Sequence, residues 1–146
     1  MKKKILLIGL IYFGLVSFRP TQINLTTQIY REMVFNAVDD MEFKFKDIVK
    51  AQAILESGHF NSDVFKQNNN VFGIRLPKKR KTTAIGSNLR YAVYGDICSS
   101  IEDRLLYEQR YLINLTRQQY FAYLDRVYAK NKTYSKKLKL IIQKNL

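Results

Sequence analysis

The chain has 146 residues, with 25 Lys plus Arg against 12 Asp plus Glu, a formal charge of +13, one His and one Cys. That length builds one domain with a real hydrophobic core, and an apolar share of 47 % with ten Tyr and nine Phe excludes a disordered chain. A lone Cys98 and a lone His59 exclude a disulfide framework, a Cys-based zinc site and a two-His zinc helix, which leaves carboxylates, hydroxyls, amides and aromatics to do the work, with no metal or organic cofactor expected.

Lys2, Lys3 and Lys4 precede an uncharged run of 14 residues, Ile5 to Phe18, closed by Arg19-Pro20. A basic start before a short apolar run is the shape of a secretory signal, and the run is shorter than the ~20 residues of a permanent membrane-spanning helix. Residues 1–20 are therefore read as a signal peptide or signal anchor. Residues 21–146 form the working domain, exported to the periplasm, envelope or exterior and expected to be a monomer. No small-x-small cleavage site is evident around Ser17, which keeps anchoring to the membrane through residues 1–20 open. Removing the four cations of residues 1–20 lowers the charge from +13 to +9, a surface that favours polyanions. For an exported protein these are envelope polymers or anionic lipid, not nucleic acid.

Leu25, Ile29, Met33 and Ala37 repeat every four residues and predict a first helix with that face inward, ending near Asp39-Asp40. A second helix is predicted over about Asp47–Ser57, stopped by Gly58. Asn68-Asn69-Asn70, Gly73, Pro77, Gly86 and Gly95 then break the chain into short β-like pieces at 71–75, 82–85 and 89–94, read as a hairpin lobe. Lys78-Lys79-Arg80-Lys81 follows Pro77 on an exposed loop, either merely solvated or a binding patch. Helix returns at Ser99, where Ser99-Ser100-Ile101-Glu102 has capping-box spacing, with Ile101, Leu105, Leu112 and Leu115 on one face. Two further amphipathic segments carry Phe121, Leu124 and Tyr128, and Tyr134, Leu138 and Ile141. The fold class is α+β, predominantly helical.

Val49, Ala53 and Glu56 share one face of the second helix, so an otherwise apolar stripe ends in a carboxyl on the last turn. Apolar surroundings and the negative end of the helix dipole both raise a carboxyl pKa, and a carboxyl kept protonated near neutrality is a general acid. A surface Glu at a frayed helix end would satisfy the same spacing. His59, three residues on, is read as a cleft-rim residue, and Cys98 as a small buried hydrophobe with no His left to activate it.

Ala51-Gln52-Ala53-Ile54-Leu55-Glu56-Ser57-Gly58 followed by Asn69-Asn70-Val71-Phe72-Gly73-Ile74 closely resembles the bacterial endo-β-N-acetylglucosaminidases, a family of peptidoglycan hydrolases with a lysozyme-like fold. Tyr91-Ala92-Val93-Tyr94, Ser100-Ile101-Glu102-Asp103 and Tyr128-Ala129 with Tyr134 and Leu138 extend the resemblance over roughly Ile29 to Ile142. It implies a β-hairpin lobe as one wall of a cleft that takes peptidoglycan glycan strands, cut at the β-1,4 bond after N-acetylglucosamine. Glu56 matches the essential acid. Asn70 and Phe72 match positions at the cleft floor, Tyr94 ends the aromatic-x-x-Tyr motif, and either Tyr128 or Tyr134 supplies an active-site tyrosine; all five are candidate substrate-binding residues.

Two departures stand out. Lys130-Asn131-Lys132 replaces the family's frequent Thr-Asp-Pro, and from Lys66 to Val93 there is no Asp or Glu to serve as the second carboxylate of most glycosidases. A distant Asp63 or Asp96, the substrate's own 2-acetamido group, or a water held by tyrosine and asparagine would have to act instead. Rival readings are a lytic transglycosylase or muramidase on the same body, against which the Phe72-Gly73-Ile74 segment argues, and a non-catalytic wall-binding module, for which the missing acid argues.

Overall fold

The computed structural model describes residues 24–146; the segment read as a signal lies outside them. The elements in order are α1 (Leu25–Asp40), α2 (Lys46–Glu56), α3 (Asp63–Asn68), β1 (Gly86–Asn88), β2 (Tyr91–Val93), α4 (Ile97–Tyr111), α5 (Arg117–Tyr123), a π-helical turn (Leu124–Tyr128) and α6 (Tyr134–Asn145). The result is helix-dominated with one small antiparallel hairpin. Among the described residues no helix is long and apolar enough to cross a membrane.

α2 is the centre of the packing. Its Val49, Ala53 and Ile54 join a core with Val34 and Val38 of α1, Phe72 and Ile101. Ile48 and Ala51, on another side, join Tyr120, Leu124, Tyr134 and Leu138. The helix thus divides two apolar clusters, and its buried Gln52 lies between them. It ends in a Schellman motif: Gly58 N–H donates to Leu55 O (3.3 Å) and His59 N–H to Ile54 O (2.9 Å), with Gly58 at φ +59°. That stop fixes Glu56 as the last helical residue.

Several expectations are corrected. α1 spans the predicted residues but not the predicted face: Leu25, Ile29 and Met33 are 70 %, 52 % and 45 % exposed, while Val34 and Val38 are fully buried. Tyr30, Val34, Ala37, Val38 and Met41 all contact the core, spaced 4, 3, 1 and 3, a closer match to the helical period than a strict repeat of four. The short helix α3 was not foreseen. Segments 71–75 and 82–85 are not strands. The Asn70 side chain supplies the bonds a ladder would have made: its Nδ2 donates to Ile74 O (2.8 Å) and Ala92 O (2.9 Å), and its Oδ1 accepts from Ile74 N (3.1 Å). Leu89, expected in a strand, is in the hairpin turn with Arg90, at φ +52° and +66°. α4 starts at Ile97, not Ser99, because Asp96 accepts from the Ser99 N–H (2.6 Å) and caps it. Cys98, in the first turn of α4, is exposed rather than buried.

The hairpin pairs Gly86 with Val93, Ser87 with Ala92 and Asn88 with Tyr91. Its tip is tied to α3 by Asn68, which is fully buried and donates to Asn88 O (2.8 Å) while accepting from Asn88 Nδ2 (2.9 Å). The loop between Ile74 and β1 is anchored by Arg80, whose guanidinium makes two bonds, 2.7 and 2.8 Å, to Asp103 of α4. The basic run is therefore not simply solvated: Arg80 is held, and its neighbours Lys78 and Lys79 are exposed.

Candidate active site

A cleft of about 780 Å³ opens between the 72–80 loop and the helical body, and Glu56 lies in its wall with Phe72, Gly73, Tyr128 and Tyr134. Three elements converge on the Glu56 carboxyl. α2 delivers it at its C-terminal end, where the helix dipole disfavours an anion. The first turn of α6 brings Tyr134, whose hydroxyl donates to Oε1 at 2.6 Å. The loop brings Gly73, at φ +60°, so close that a Cβ there would sit 3.5 Å from Oε2. One oxygen is therefore bonded to protein and the other lies against bare backbone at the cleft.

Burial raises the Glu56 pKa, and neither the Tyr134 hydrogen bond nor the Lys137 charge, both acting the other way, cancels it. Tyr134 and Tyr128 are driven far above the ordinary phenol range, first by burial and then by nearby groups including Glu56. Both hydroxyls stay protonated and act as neutral donors.

Of the two tyrosines left open from sequence, Tyr134 is the one that touches Glu56. Tyr128 instead donates to Phe72 O at 2.7 Å, joining the π-helical turn to the loop, and its ring lies 6.0 Å from that of Tyr134. Phe72 lines the cleft. Asn70 and Tyr94 do not; both are buried behind the wall. Asn70 shapes the 70–74 turn. The Tyr94 hydroxyl donates to Asp103 Oδ2 (2.8 Å), in the cluster that anchors Arg80. Burial works to raise the Asp103 pKa, but hydrogen bonds from Arg80, Thr82 and Tyr94 with the Arg80 charge outweigh it and hold the carboxyl below its ordinary value.

His59 is not at the rim of this cleft. It is exposed at φ +56° and lines a separate groove with Arg31 and Phe35 of α1. Among the described residues Glu56 is the only carboxylate lining the Glu56 cleft; Asp63 and Asp96 are in the first turn and N-cap of other helices. No three His, Cys, Asp or Glu among the described residues gather as a metal site would require. Lys130-Asn131-Lys132 forms a tight turn in which Asn131 Oδ1 accepts from Thr133 N–H and Oγ–H, both at 2.9 Å, and Asn131 itself lines the cleft.

Sequence reasoning missed the polar network behind the site. Gln52 Nε2 donates to the Tyr134 hydroxyl (3.1 Å), and Arg104 donates to Gln52 Oε1 (2.7 Å) and to the Tyr120 hydroxyl (2.6 Å). The Tyr120 hydroxyl donates in turn to Glu108 (2.5 Å). The available signals were Gln52 one turn before Glu56 in an apolar stretch, and an Arg104–Glu108 pair one turn apart.

A family model described as mannosyl-glycoprotein endo-beta-N-acetylglucosaminidase matches residues 36–146. The catalytic domain of the autolysin Auto from Listeria monocytogenes aligns with a TM-score of 0.59 and 22 % sequence identity, over 86 % of this chain and 87 % of that one. The second likeness shows a shared fold, consistent with the lysozyme-like body and β-lobe. No curated protein sequence matches the chain significantly.

Proposed function

The chain belongs to the mannosyl-glycoprotein endo-β-N-acetylglucosaminidase family, a glycoside hydrolase family, and from that premise we propose that it cuts peptidoglycan glycan strands at the β-1,4 bond on the N-acetylglucosamine side, with Glu56 as general acid. The observation that carries the residue assignment is one carboxyl, half-buried and raised in pKa, in the wall of an open cleft of about 780 Å³.

Glu56 Oε2 delivers its proton to the glycosidic oxygen as the bond to C1 breaks and oxocarbenium character develops. With no second carboxylate lining the cleft among the described residues, the substrate's own 2-acetamido oxygen closes on C1, an established exception to the two-carboxylate rule. Water then reopens that ring, returning its proton to the Glu56 carboxylate and leaving a reducing N-acetylglucosamine end. Tyr128 offers a ring surface to a sugar face, and Arg75, Lys78, Lys79 and Lys137 make the cleft attractive to an acidic polymer. Action on such a substrate places the domain outside the cytoplasm, with residues 1–20 as its export signal or anchor and the domain working as a monomer.

Digestion of purified peptidoglycan followed by mass spectrometry of the new ends tests this. Reducing N-acetylglucosamine ends support it, and anhydro-muramic ends would make the protein a transglycosylase. Glu56→Gln should lose at least ~100-fold in rate, the scale of a general acid, with sugar binding retained; equal activity would remove Glu56 from the mechanism.

A further inference from the structure

The fully buried Arg104 and Gln52 form a chain of hydrogen bonds whose direction is forced. A guanidinium can only donate. Arg104 lies 2.7 Å from one end of the Gln52 amide, so that end must be the carbonyl oxygen, and the amide NH₂ must face Tyr134. The Tyr134 hydroxyl, 3.1 Å from that NH₂, accepts there, and its single proton is left for Glu56 Oε1 at 2.6 Å. Glu108 and Tyr120 hold the far end: Glu108 accepts from the Tyr120 hydroxyl and from the Lys44 backbone N–H (2.6 Å), and sits 3.7 Å from the Arg104 guanidinium. Were the amide free to flip, Tyr134 could donate to Gln52 Oε1 instead, and Glu56 would lose the hydrogen bond that Tyr134 gives it.

We infer that Arg104 and Gln52 are positioning residues for the reaction: they fix the direction of the hydrogen bond that Tyr134 gives Glu56, so that Oε1 is kept as acceptor and the transferable proton resides on Oε2, beside Gly73 and the cleft. Their meaning for catalysis rests on the reading of Glu56 as proton donor; the arrangement itself does not. Among the described residues, the other titratable groups lining the Glu56 cleft are Lys137 on α6, Tyr128 on the π-helical turn, Tyr107 and Tyr111 on α4, and Arg75, Lys78, Lys79 and Arg80 on the loop. None of them contacts Gln52 through the bonds described, so variants at 52 and 104 act through Tyr134.

The test is a titration of the Glu56 side-chain carboxyl by carbon-13 NMR in the full chain, alongside the pH profile of kcat/KM. Gln52→Glu places an acceptor where a donor stood and draws the Tyr134 proton away, so the Glu56 midpoint and the alkaline limb of activity should both move up by about one pH unit. In a Tyr134→Phe background the added shift from Gln52→Glu should shrink. Arg104→Lys, still donor-only, should keep the wild-type midpoint, while Arg104→Met should raise it, with kcat falling and KM little changed. If Gln52→Glu does not fold, the two Arg104 variants decide. A shift of equal size with and without the Tyr134 hydroxyl, or an unmoved midpoint in Arg104→Met, would overturn the inference. A wild-type protein with no glycosidase activity would sink the proposed function while leaving the titration readable.

Discussion

Gly73→Ala probes the cleft wall most directly. Gly73 sits at φ +60°, a left-handed conformation that costs an L-residue about 1–2 kcal/mol. For a domain of this size that corresponds to a Tm lowered by about 4–10 °C. The new methyl meets Glu56 Oε2 at 3.5 Å and the Tyr91 ring at 3.9 Å, ordinary contact distances, so no clash adds to the strain and the protein should still fold. Its effect on chemistry should be larger than its effect on stability. The methyl stands beside the oxygen that must come within hydrogen-bond reach of the leaving group, and a displacement of that order costs about 100-fold in rate. Gly86→Ala is the internal control: a Cβ there meets nothing within 4 Å and its backbone is not left-handed. Thermal unfolding by circular dichroism and turbidity clearing of a peptidoglycan suspension read the two effects. Gly73→Ala with the lowered Tm but undiminished clearing would show that Oε2 does not face the substrate, and the account of the acid would be wrong.

Removing Arg80 as Ala should cost about 3 kcal/mol in urea unfolding, because the Asp103 carboxylate it pairs with is fully buried and would be left charged without its cation; a loss under 1 kcal/mol would contradict the burial. The pH dependence has a definite sign. The folded Asp103 pKa is held below its unfolded value, so its stabilisation is present above about pH 4 and drains away as pH falls through the folded pKa. Asp103→Asn should therefore flatten the acid side of the stability profile. Replacing Leu89-Arg90 with Asn-Gly relieves two left-handed side chains in a two-residue turn and should add about 1–2 kcal/mol, since Leu89 is already 45 % exposed and little burial is lost. An unchanged unfolding midpoint would mean that the strain is not there.

Local information carried much of this. Glu56 at the end of an apolar stripe, stopped by Gly58, is a pattern of eight consecutive residues, and the helix formed where those residues placed it. The face of α1 differs from the expected one because two apolar rows with the same spacing of four run along that helix, Leu25-Ile29-Met33 and Tyr30-Val34-Val38, and only packing against α2 and α4 selects the second. Strands were expected at 71–75 because apolar residues between Asn and Gly resemble a ladder segment, but Asn70 satisfies that backbone through its side chain. The choice between Tyr128 and Tyr134 depends on a π-helical turn and on partners 56 and 78 residues away. Gln52 and Arg104 meet across 52 residues. Such pairings are set by tertiary packing, and no local period announces them.

Because α2 is the partition between two apolar clusters and also bears the acid at its tip, neither half can loosen without tilting that tip. Inactivation by heat should then coincide with the loss of either half's packing, with no worn but still working intermediate. A wall hydrolase built this way would fail silent once damaged, rather than persist as a slack and undirected cutter.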